Sequence, residues 1–141
     1  MNLPLLKEVS TEIETKLVAY EFAKLLNPGD IVSLTGSLGS GKTFFVKAVC
    51  ESFGIYNVSS PSFAIVNVYD GTVNINHFDF YRIKKIEELY DIGFSEYLNN
   101  DSITFIEWAE MFPQLVPVEH FKIVIRFIDM NKRQITIEQN G

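Results

Sequence analysis

Cysteine, basic charge and long apolar runs are all scarce in this sequence of 141 residues. Its single cysteine, Cys50, excludes an internal disulfide, which fits a reducing cytosol. No apolar run approaches the roughly 18 residues that span a bilayer. The N-terminus also lacks the basic start and the long apolar stretch of a signal peptide. We therefore expect a cytoplasmic protein without membrane contact.

The scarcity of positive charge bears on nucleic-acid binding. The formal net charge is −6, and the 12 lysines and arginines are scattered along the chain. A protein that binds nucleic acid unaided usually carries a basic patch, because displacing counterions from the phosphates drives binding. Strong binding of RNA or DNA by this chain alone is disfavoured, whereas action on nucleic acid through a partner stays open.

Apolar residues, by contrast, are plentiful. They make up 47% of the sequence, enough to bury the core of one domain over residues 1–141. Local patterns predict helices over residues 11–26 and 42–53, and short helical pieces over 86–90 and 94–98. They predict strands over 31–35, 63–69, 72–80, 102–106, 121–128 and 134–138, with a two-residue turn at Asp70-Gly71. This order indicates an α/β fold in which a glycine-rich loop joins a strand to a helix and antiparallel strands are added.

The glycine-rich loop matches the pattern G-x-x-x-x-G-K-[ST] at every position. It reads Gly36, Ser37, Leu38, Gly39, Ser40, Gly41, Lys42, Thr43. Glycines let the backbone close its N–H groups on phosphate oxygens, and the following helix directs its positive end at the same anion. In this pattern the lysine provides a charge for the β- and γ-phosphates, and the threonine hydroxyl is a magnesium ligand. The loop predicts binding of a nucleoside triphosphate with Mg²⁺.

Enzymes with this loop also need an acid at the end of a strand to hold the metal, directly or through water. Glu107 follows the apolar run 103–106, and Asp79 ends the run 75–79. The sequence leaves open which of the two touches the metal. The two histidines, His77 and His120, show no metal-ligand spacing, so we interpret both as structural.

Several motifs, taken in order, carry a resemblance to a known family. They are Pro28-Gly29-Asp30, the loop itself, Ser60-Pro61-Ser62-Phe63, His77-Phe78-Asp79-Phe80-Tyr81-Arg82, Ile106-Glu107-Trp108 and Arg133-Gln134-Ile135. On these motifs, which run over nearly the whole chain, the sequence resembles the TsaE (YjeE) family, the bacterial P-loop ATPases needed to make threonylcarbamoyladenosine in tRNA. Three positions depart from the family pattern: Ser37 replaces an acid, Ser62 a threonine and Ala109 a proline.

The resemblance implies a fold and a set of roles. The fold would be a P-loop NTPase-like mixed sheet with flanking helices and added antiparallel strands. Lys42 and the rest of the loop would hold the phosphates of ATP, and Thr43 and Glu107 would bind Mg²⁺. Asp79 would orient or activate water, or lie next to the metal without touching it.

The resemblance also extends to the nucleoside and to partners. Ser62 would lie in a switch-like segment that senses the γ-phosphate, and residues 11–15 and Arg133 would border the adenine or ribose. Family members hydrolyse ATP slowly and work with the TsaB–TsaD pair, in which TsaD transfers the threonylcarbamoyl group. Hydrolysis would then reset a partner complex, and tRNA would be contacted only indirectly, through the partners.

Two other functions stay open. A small-molecule kinase would want extra cationic groups on the moving phosphate, and the three arginines, Arg82, Arg126 and Arg133, are far apart in the sequence. A non-catalytic nucleotide sensor would carry the same loop and would differ only in showing no turnover.

Overall fold

The computed structural model describes residues 1–58 and 65–140. Its strands are β1 (Leu5–Val9), β2 (Ile31–Thr35), β3 (Val66–Tyr69), β4 (Asn74–Asp79), β5 (Ser102–Glu107), β6 (His120–Asp129) and β7 (Lys132–Asn140). Its helices are α1 (Glu12–Ala23), α2 (Lys42–Glu51), α3 (Glu87–Asp91) and α4 (Phe94–Tyr97), followed by two 3₁₀ turns, Ala109–Met111 and Pro113–Leu115. No helix in the described ranges has the length and apolar character of a membrane span.

All seven strands form one mixed sheet in the order β1-β7-β6-β2-β5-β4-β3. The four central strands, β6, β2, β5 and β4, are parallel to one another, and β1, β7 and β3 are added in antiparallel pairs. This arrangement confirms the predicted mixed sheet. Because parallel strands end at the same edge, the loop after β2 and the carboxylates that end β4 and β5 come together there.

Two apolar clusters hold the sheet between helices. The larger cluster joins α1 and α2 to the sheet through side chains such as Phe22, Phe45 and Phe105, all fully buried. The smaller one joins α3 and α4 to Phe78 and Ile106. Neighbouring residues of a strand point to opposite faces, so Phe105 and Ile106 of β5 place the clusters on opposite sides of the sheet.

The predicted start of the first helix is confirmed by its capping contacts. Thr11 is the N-cap, and its hydroxyl accepts a hydrogen bond from the Glu14 N–H at 3.1 Å. The Glu14 carboxylate accepts one in return from the Ser10 N–H at 2.6 Å. The first bond satisfies a backbone donor that the first turn of a helix leaves without a partner, and the second fixes the residue before the N-cap.

Two features differ from the sequence-based expectations. The first is β1, which no local pattern indicated; it forms because it pairs with β7 along its whole length, Leu5 opposite Ile137 and Val9 opposite Arg133. The second is the connection between β3 and β4. The predicted two-residue turn at Asp70-Gly71 is wrong, because residues 70–73 separate the two strands. Gly71 serves close packing instead, because a Cβ there would lie 2.6 Å from Ile55 Cγ1. The first two residues of the predicted strand 63–69 lie outside the described residues.

Candidate nucleotide and metal site

The loop between β2 and α2 has the backbone shape that the pattern predicts. Gly36, Gly39 and Gly41 all have positive φ values, of 149°, 77° and 108°. Gly41 is also the N-cap of α2, so the loop leads straight into the positive end of a helix of 10 residues. A loop of this shape in front of a helix N-terminus is suited to bind an anion.

Gly36 is fixed by the neighbouring strand. A Cβ at this position would lie 2.3 Å from the carbonyl oxygen of Ile125 on β6 and 2.8 Å from Ser40 Oγ. We expect Gly36→Ala to lower the free energy of unfolding by about 2–4 kcal/mol, since backbone atoms of two strands must separate. Gly39→Ala is the matched control, because nothing lies within 4 Å of its Cβ position, and it should cost only the left-handed strain of about 1 kcal/mol. Equal denaturant midpoints for the two variants would contradict this prediction.

The Lys42 ammonium group lies within the loop. Its Nζ donates hydrogen bonds to the carbonyl oxygens of Gly36 (2.7 Å) and Ser37 (2.9 Å). It also lies 4.2 Å from the centre of the Trp108 ring. Burial lowers the pKa of Lys42, while the carboxylates of Glu107, Glu110 and Asp79 act in the opposite direction. These carbonyls are neutral acceptors, so an ammonium group held by them can exchange them for the charged oxygens of a phosphate.

Trp108 reaches Lys42 through an unusual backbone conformation. Its φ is 58°, in the left-handed region that residues other than glycine rarely adopt. Its N–H donates to the Leu34 carbonyl at 3.0 Å, and its ring lies 4.7 Å from the Tyr81 ring. The chain thus turns sharply after β5, and the indole covers the lysine of the loop. No local pattern in the sequence indicated this contact.

Thr43 and Glu107 are joined directly. The Thr43 hydroxyl lies 2.9 Å from both carboxylate oxygens of Glu107, and Glu107 is only 3% exposed. A second contact joins Glu107 Oε2 to His77 Nε2 at 2.5 Å, with His77 fully buried. The interpretation of His77 as purely structural missed this contact, which depends on the pairing of β4 with β5.

Asp79 lies beside Glu107 in the parallel register of β4 and β5. One of its carboxylate oxygens accepts a hydrogen bond from the Tyr81 N–H at 3.0 Å. Burial raises the pKa of Asp79, the Tyr81 N–H opposes the rise, and the nearby Glu107 carboxylate adds to it. An ionised Asp79 is therefore unfavourable in the protein alone and would gain from a cation or a water molecule placed next to it.

This pKa shift predicts a stability effect for Asp79→Asn in the absence of nucleotide and metal. Below the unfolded-state pKa of about 4 the acid is protonated in both states, so the shift has no effect. As the pH rises through the higher pKa of the folded state, the wild type loses stability, whereas asparagine mimics the protonated acid. At pH 7 we expect the melting temperature of the variant to lie a few degrees above that of wild type, since 1 kcal/mol of stability corresponds to roughly 2–4 °C. Near pH 3 the two proteins should melt at the same temperature. Coinciding melting curves at both pH values would contradict the shift.

Two clefts flank the loop and share Gly41 and Phe44. The one on the metal side has a volume of about 250 Å³ and is lined by Leu38, Lys42, Thr43, Asp79, Glu107 and Trp108 among others. The other has a volume of about 320 Å³ and is lined by residues that include Thr11, Thr15, Ser40, Met130, Asn131 and Arg133. The structure thus brings together the sequence-predicted site residues, except Ser62, which lies outside the described residues.

Arg133 is tied to the loop across the second cleft. Its Nε donates to the Ser40 carbonyl at 3.2 Å, and its guanidinium lies 4.8 Å from the Phe127 ring centre. The Ser40 hydroxyl is buried and has no hydrogen-bond partner within the described ranges. The second cleft therefore offers a cation and an unused hydroxyl beside the loop. Met130 and Asn131 line this cleft because the pairing of β6 with β7 brings them beside the loop. No local pattern in the sequence could indicate that position.

The oxygen donors fit magnesium better than a metal caged by protein alone. In the part of the chain that the structure describes, no group of three or more His, Cys, Asp or Glu side chains could hold a metal ion. Mg²⁺ commonly takes one or two protein oxygens and completes its shell with water and substrate phosphates. Thr43 and Glu107, with Asp79 on the next strand, are oxygen donors of the kind that such a partial shell uses.

Comparisons with known proteins agree with this geometry. The family model for "Threonylcarbamoyl adenosine biosynthesis protein TsaE" matches residues 9–135. A TsaE protein of Rickettsia typhi is 40% identical over 136 residues, 94% of each chain, and one of Bacillus subtilis is 38% identical over 130 residues, 91% of this chain and 81% of that one. The crystal structure of YdiB from B. subtilis superposes with a TM-score of 0.79 at 31% identity, covering 100% of this chain and 88% of that chain. The chain therefore belongs to the TsaE family of threonylcarbamoyl adenosine biosynthesis proteins.

Proposed function

We propose that this chain binds ATP with Mg²⁺ and hydrolyses it slowly, and that this cycle supports threonylcarbamoyladenosine formation in tRNA by acting on the TsaB–TsaD complex. The observation that carries the proposal is the direct contact of Thr43 with Glu107 at 2.9 Å beside the buried Lys42, in a member of the TsaE family. The contact joins the end of the phosphate loop to the end of the neighbouring strand.

The loop would bind the triphosphate. Backbone N–H groups of residues 36–41 and the N-terminus of α2 would face the phosphates, and Lys42 would leave the carbonyls of Gly36 and Ser37 to contact the β- and γ-phosphates. Thr43 and Glu107 would hold Mg²⁺, which when bound neutralises charge on those phosphates. The donors fit this ion because both are oxygens, one in the first turn of α2 and one at the end of β5.

Asp79 is suited to orient the attacking water and to accept its proton. Asp79 lines the metal-side cleft and lies next to Glu107 in the sheet. The raised pKa of Asp79 makes it a better proton acceptor than an ordinary exposed aspartate. Asp79 would orient the water and take its proton as the γ-phosphate is released.

The second cleft would take the nucleoside. It adjoins the loop at Ser40 and Gly41, and a volume of about 320 Å³ suits a base with its ribose. Arg133 would border the sugar or base from the β6–β7 side, and residues 11–15 from the start of α1. Ser62, proposed to sense the γ-phosphate, lies outside the described residues.

The proposed partners follow from the family and agree with the charge. With a net charge of −6 the chain is poorly suited to hold tRNA itself. The TsaB–TsaD complex would contact the tRNA, and this chain would act in the cytoplasm without membrane contact. Hydrolysis would serve as a conformational step of the complex and leave the transfer of the threonylcarbamoyl group to TsaD.

Trp108 provides the experiment that tests nucleotide binding. It is the only tryptophan of the chain, and Lys42 lies over its ring at 4.2 Å. If phosphates draw Lys42 away from the indole, titration with ATP or ADP should change the emission of Trp108 in a saturable way. AMP is the control, since it lacks the β- and γ-phosphates that Lys42 contacts. Constant emission up to millimolar ATP, with no heat of binding by calorimetry, would contradict the proposal.

A further inference from the structure

His77 is a buried histidine to which the proposed function assigns no role. It is fully buried in β4, two residues before Asp79 and on the same face of the strand. Its Nε2 lies 2.5 Å from Glu107 Oε2, and its Nδ1 has no hydrogen-bond partner among the described residues. A buried polar atom without a partner is unfavourable, so this position calls for an explanation that core packing does not give.

Packing alone does not require a histidine at this position. Two neighbours are fully buried and apolar, Ile75 on the same face of β4 and Phe105, the partner of His77 in the register of β5. On the other side its register partner is Asn67 of β3, and the centre of the Tyr69 ring lies 6.2 Å from that of the imidazole. Among the described residues, the imidazole is hydrogen-bonded to Glu107, and this bond is what the histidine provides.

A carboxylate oxygen accepts hydrogen bonds, so the tautomer that suits this contact is the one in which His77 Nε2 donates to Glu107 Oε2. Nδ1 is then the nitrogen without a partner among the described residues. Glu107 also accepts from the Thr43 hydroxyl at 2.9 Å. The result is a chain of contacts, His77 to Glu107 to Thr43, that crosses from β4 through β5 to the first turn of α2.

We propose that His77 is a positioning residue, which holds the Glu107 carboxylate in the orientation that receives Mg²⁺; this inference rests on the proposed function. Among the described residues, the Thr43 hydroxyl and His77 Nε2 are the side-chain donors that contact this carboxylate, and Thr43 would itself be a metal ligand. The bond from His77 would therefore orient the carboxylate from outside the set of metal ligands. Groups that hold a metal-binding side chain in this way typically change metal affinity or activity by about 10–100-fold when removed.

The test compares His77→Leu with His77→Gln. Leucine removes the donor, whereas the glutamine amide nitrogen reaches about as far as Nε2 and restores a donor to Glu107. At an ATP concentration that leaves the protein largely unbound in EDTA, we expect the Mg²⁺ concentration that gives half of the Trp108 emission change to rise about 10–100-fold in His77→Leu. It should return to within about tenfold of wild type in His77→Gln. Binding of ATP in EDTA should stay within about twofold of wild type in both variants.

Two controls separate positioning from general damage. His120→Gln changes the other histidine, at the start of β6 and at the opposite end of the parallel strands, and should leave the Mg²⁺ dependence unchanged. If His77→Leu does not fold, His77→Asn takes its place, because asparagine is polar but too short to reach Glu107. Asparagine should then behave as leucine would, and glutamine should be the better of the two.

The outcomes distinguish this inference from the proposed function. A folded His77→Leu protein with the Mg²⁺ dependence of wild type would overturn the positioning role and leave the function standing. Equal losses of ATP binding with and without Mg²⁺ would also overturn it, because they indicate a damaged fold. A wild-type protein that binds neither ATP nor Mg²⁺–ATP would overturn both.

Discussion

Lys42→Ala is expected to lose ATP binding, with a fall in affinity of at least about 100-fold, or about 3 kcal/mol, and no measurable turnover. The reason is the loss of the one ammonium group in the metal-side cleft, whose bonds to phosphate oxygens are charge-assisted and correspondingly strong. The lysine is 4% exposed and already positioned by the carbonyls of Gly36 and Ser37. Calorimetry with ATP, with and without Mg²⁺, measures the effect.

Lys47→Ala is the matched control for this variant. Lys47 lies on the same helix, α2, but is exposed and absent from the walls of both clefts beside the loop. Its replacement should leave ATP affinity within about twofold of wild type. Circular dichroism must show that Lys42→Ala is folded, since the substitution also removes two hydrogen bonds. A folded Lys42→Ala protein that keeps micromolar affinity would contradict the role of the loop.

Glu107→Gln is expected to show the second large effect, a fall in kcat of at least about 100-fold with ATP binding retained. The amide keeps the size of the side chain but loses the charge that faces Thr43 and would face Mg²⁺. In EDTA, ATP affinity should equal or exceed that of wild type, because a negative charge near the phosphates has been removed. Glu107→Ala should likewise abolish turnover and leave binding measurable.

Glu110→Gln controls for charge alone. Its carboxylate acts on Lys42 as that of Glu107 does, but the residue is exposed in the turn after β5. We expect its kcat to stay within about twofold of wild type. Asp79→Asn belongs to the same series and should bind ATP but hydrolyse it more slowly; an unchanged kcat would remove Asp79 from the mechanism. If Glu107→Gln turns over like wild type, the metal role of Glu107 is wrong.

The sequence predicts the loop well because the required signals are local. Residues 36–43 carry the glycines, the lysine and the hydroxyl in one short segment, and the flanking strand and helix show their own periodicity. Likewise, the capping pair Thr11 and Glu14 lies within a single turn. The mixed sheet could be predicted once the motifs were recognised in order.

The contacts around the loop depend on distant parts of the chain and had no local signal. The second cleft joins residues 9–15, 40–44 and 125–135, which meet because β1 pairs with β7 and β6 lies beside β2. The bond from His77 to Glu107 spans 30 residues, and it depends on the register of β4 and β5. The positive φ of Trp108 is likewise set by its position after β5. Periodicity in one sequence cannot encode such pairings.

The measurement that tests the central claim most directly is the rate of Mg²⁺-dependent ATP hydrolysis by this chain, alone and with purified TsaB–TsaD from the same organism. We expect weak turnover alone that rises when the pair is added, together with association that depends on the nucleotide. ATP binding with no turnover and no association would contradict the account and indicate a nucleotide sensor. Transfer of the γ-phosphate to an added small molecule would contradict it as well and indicate a kinase.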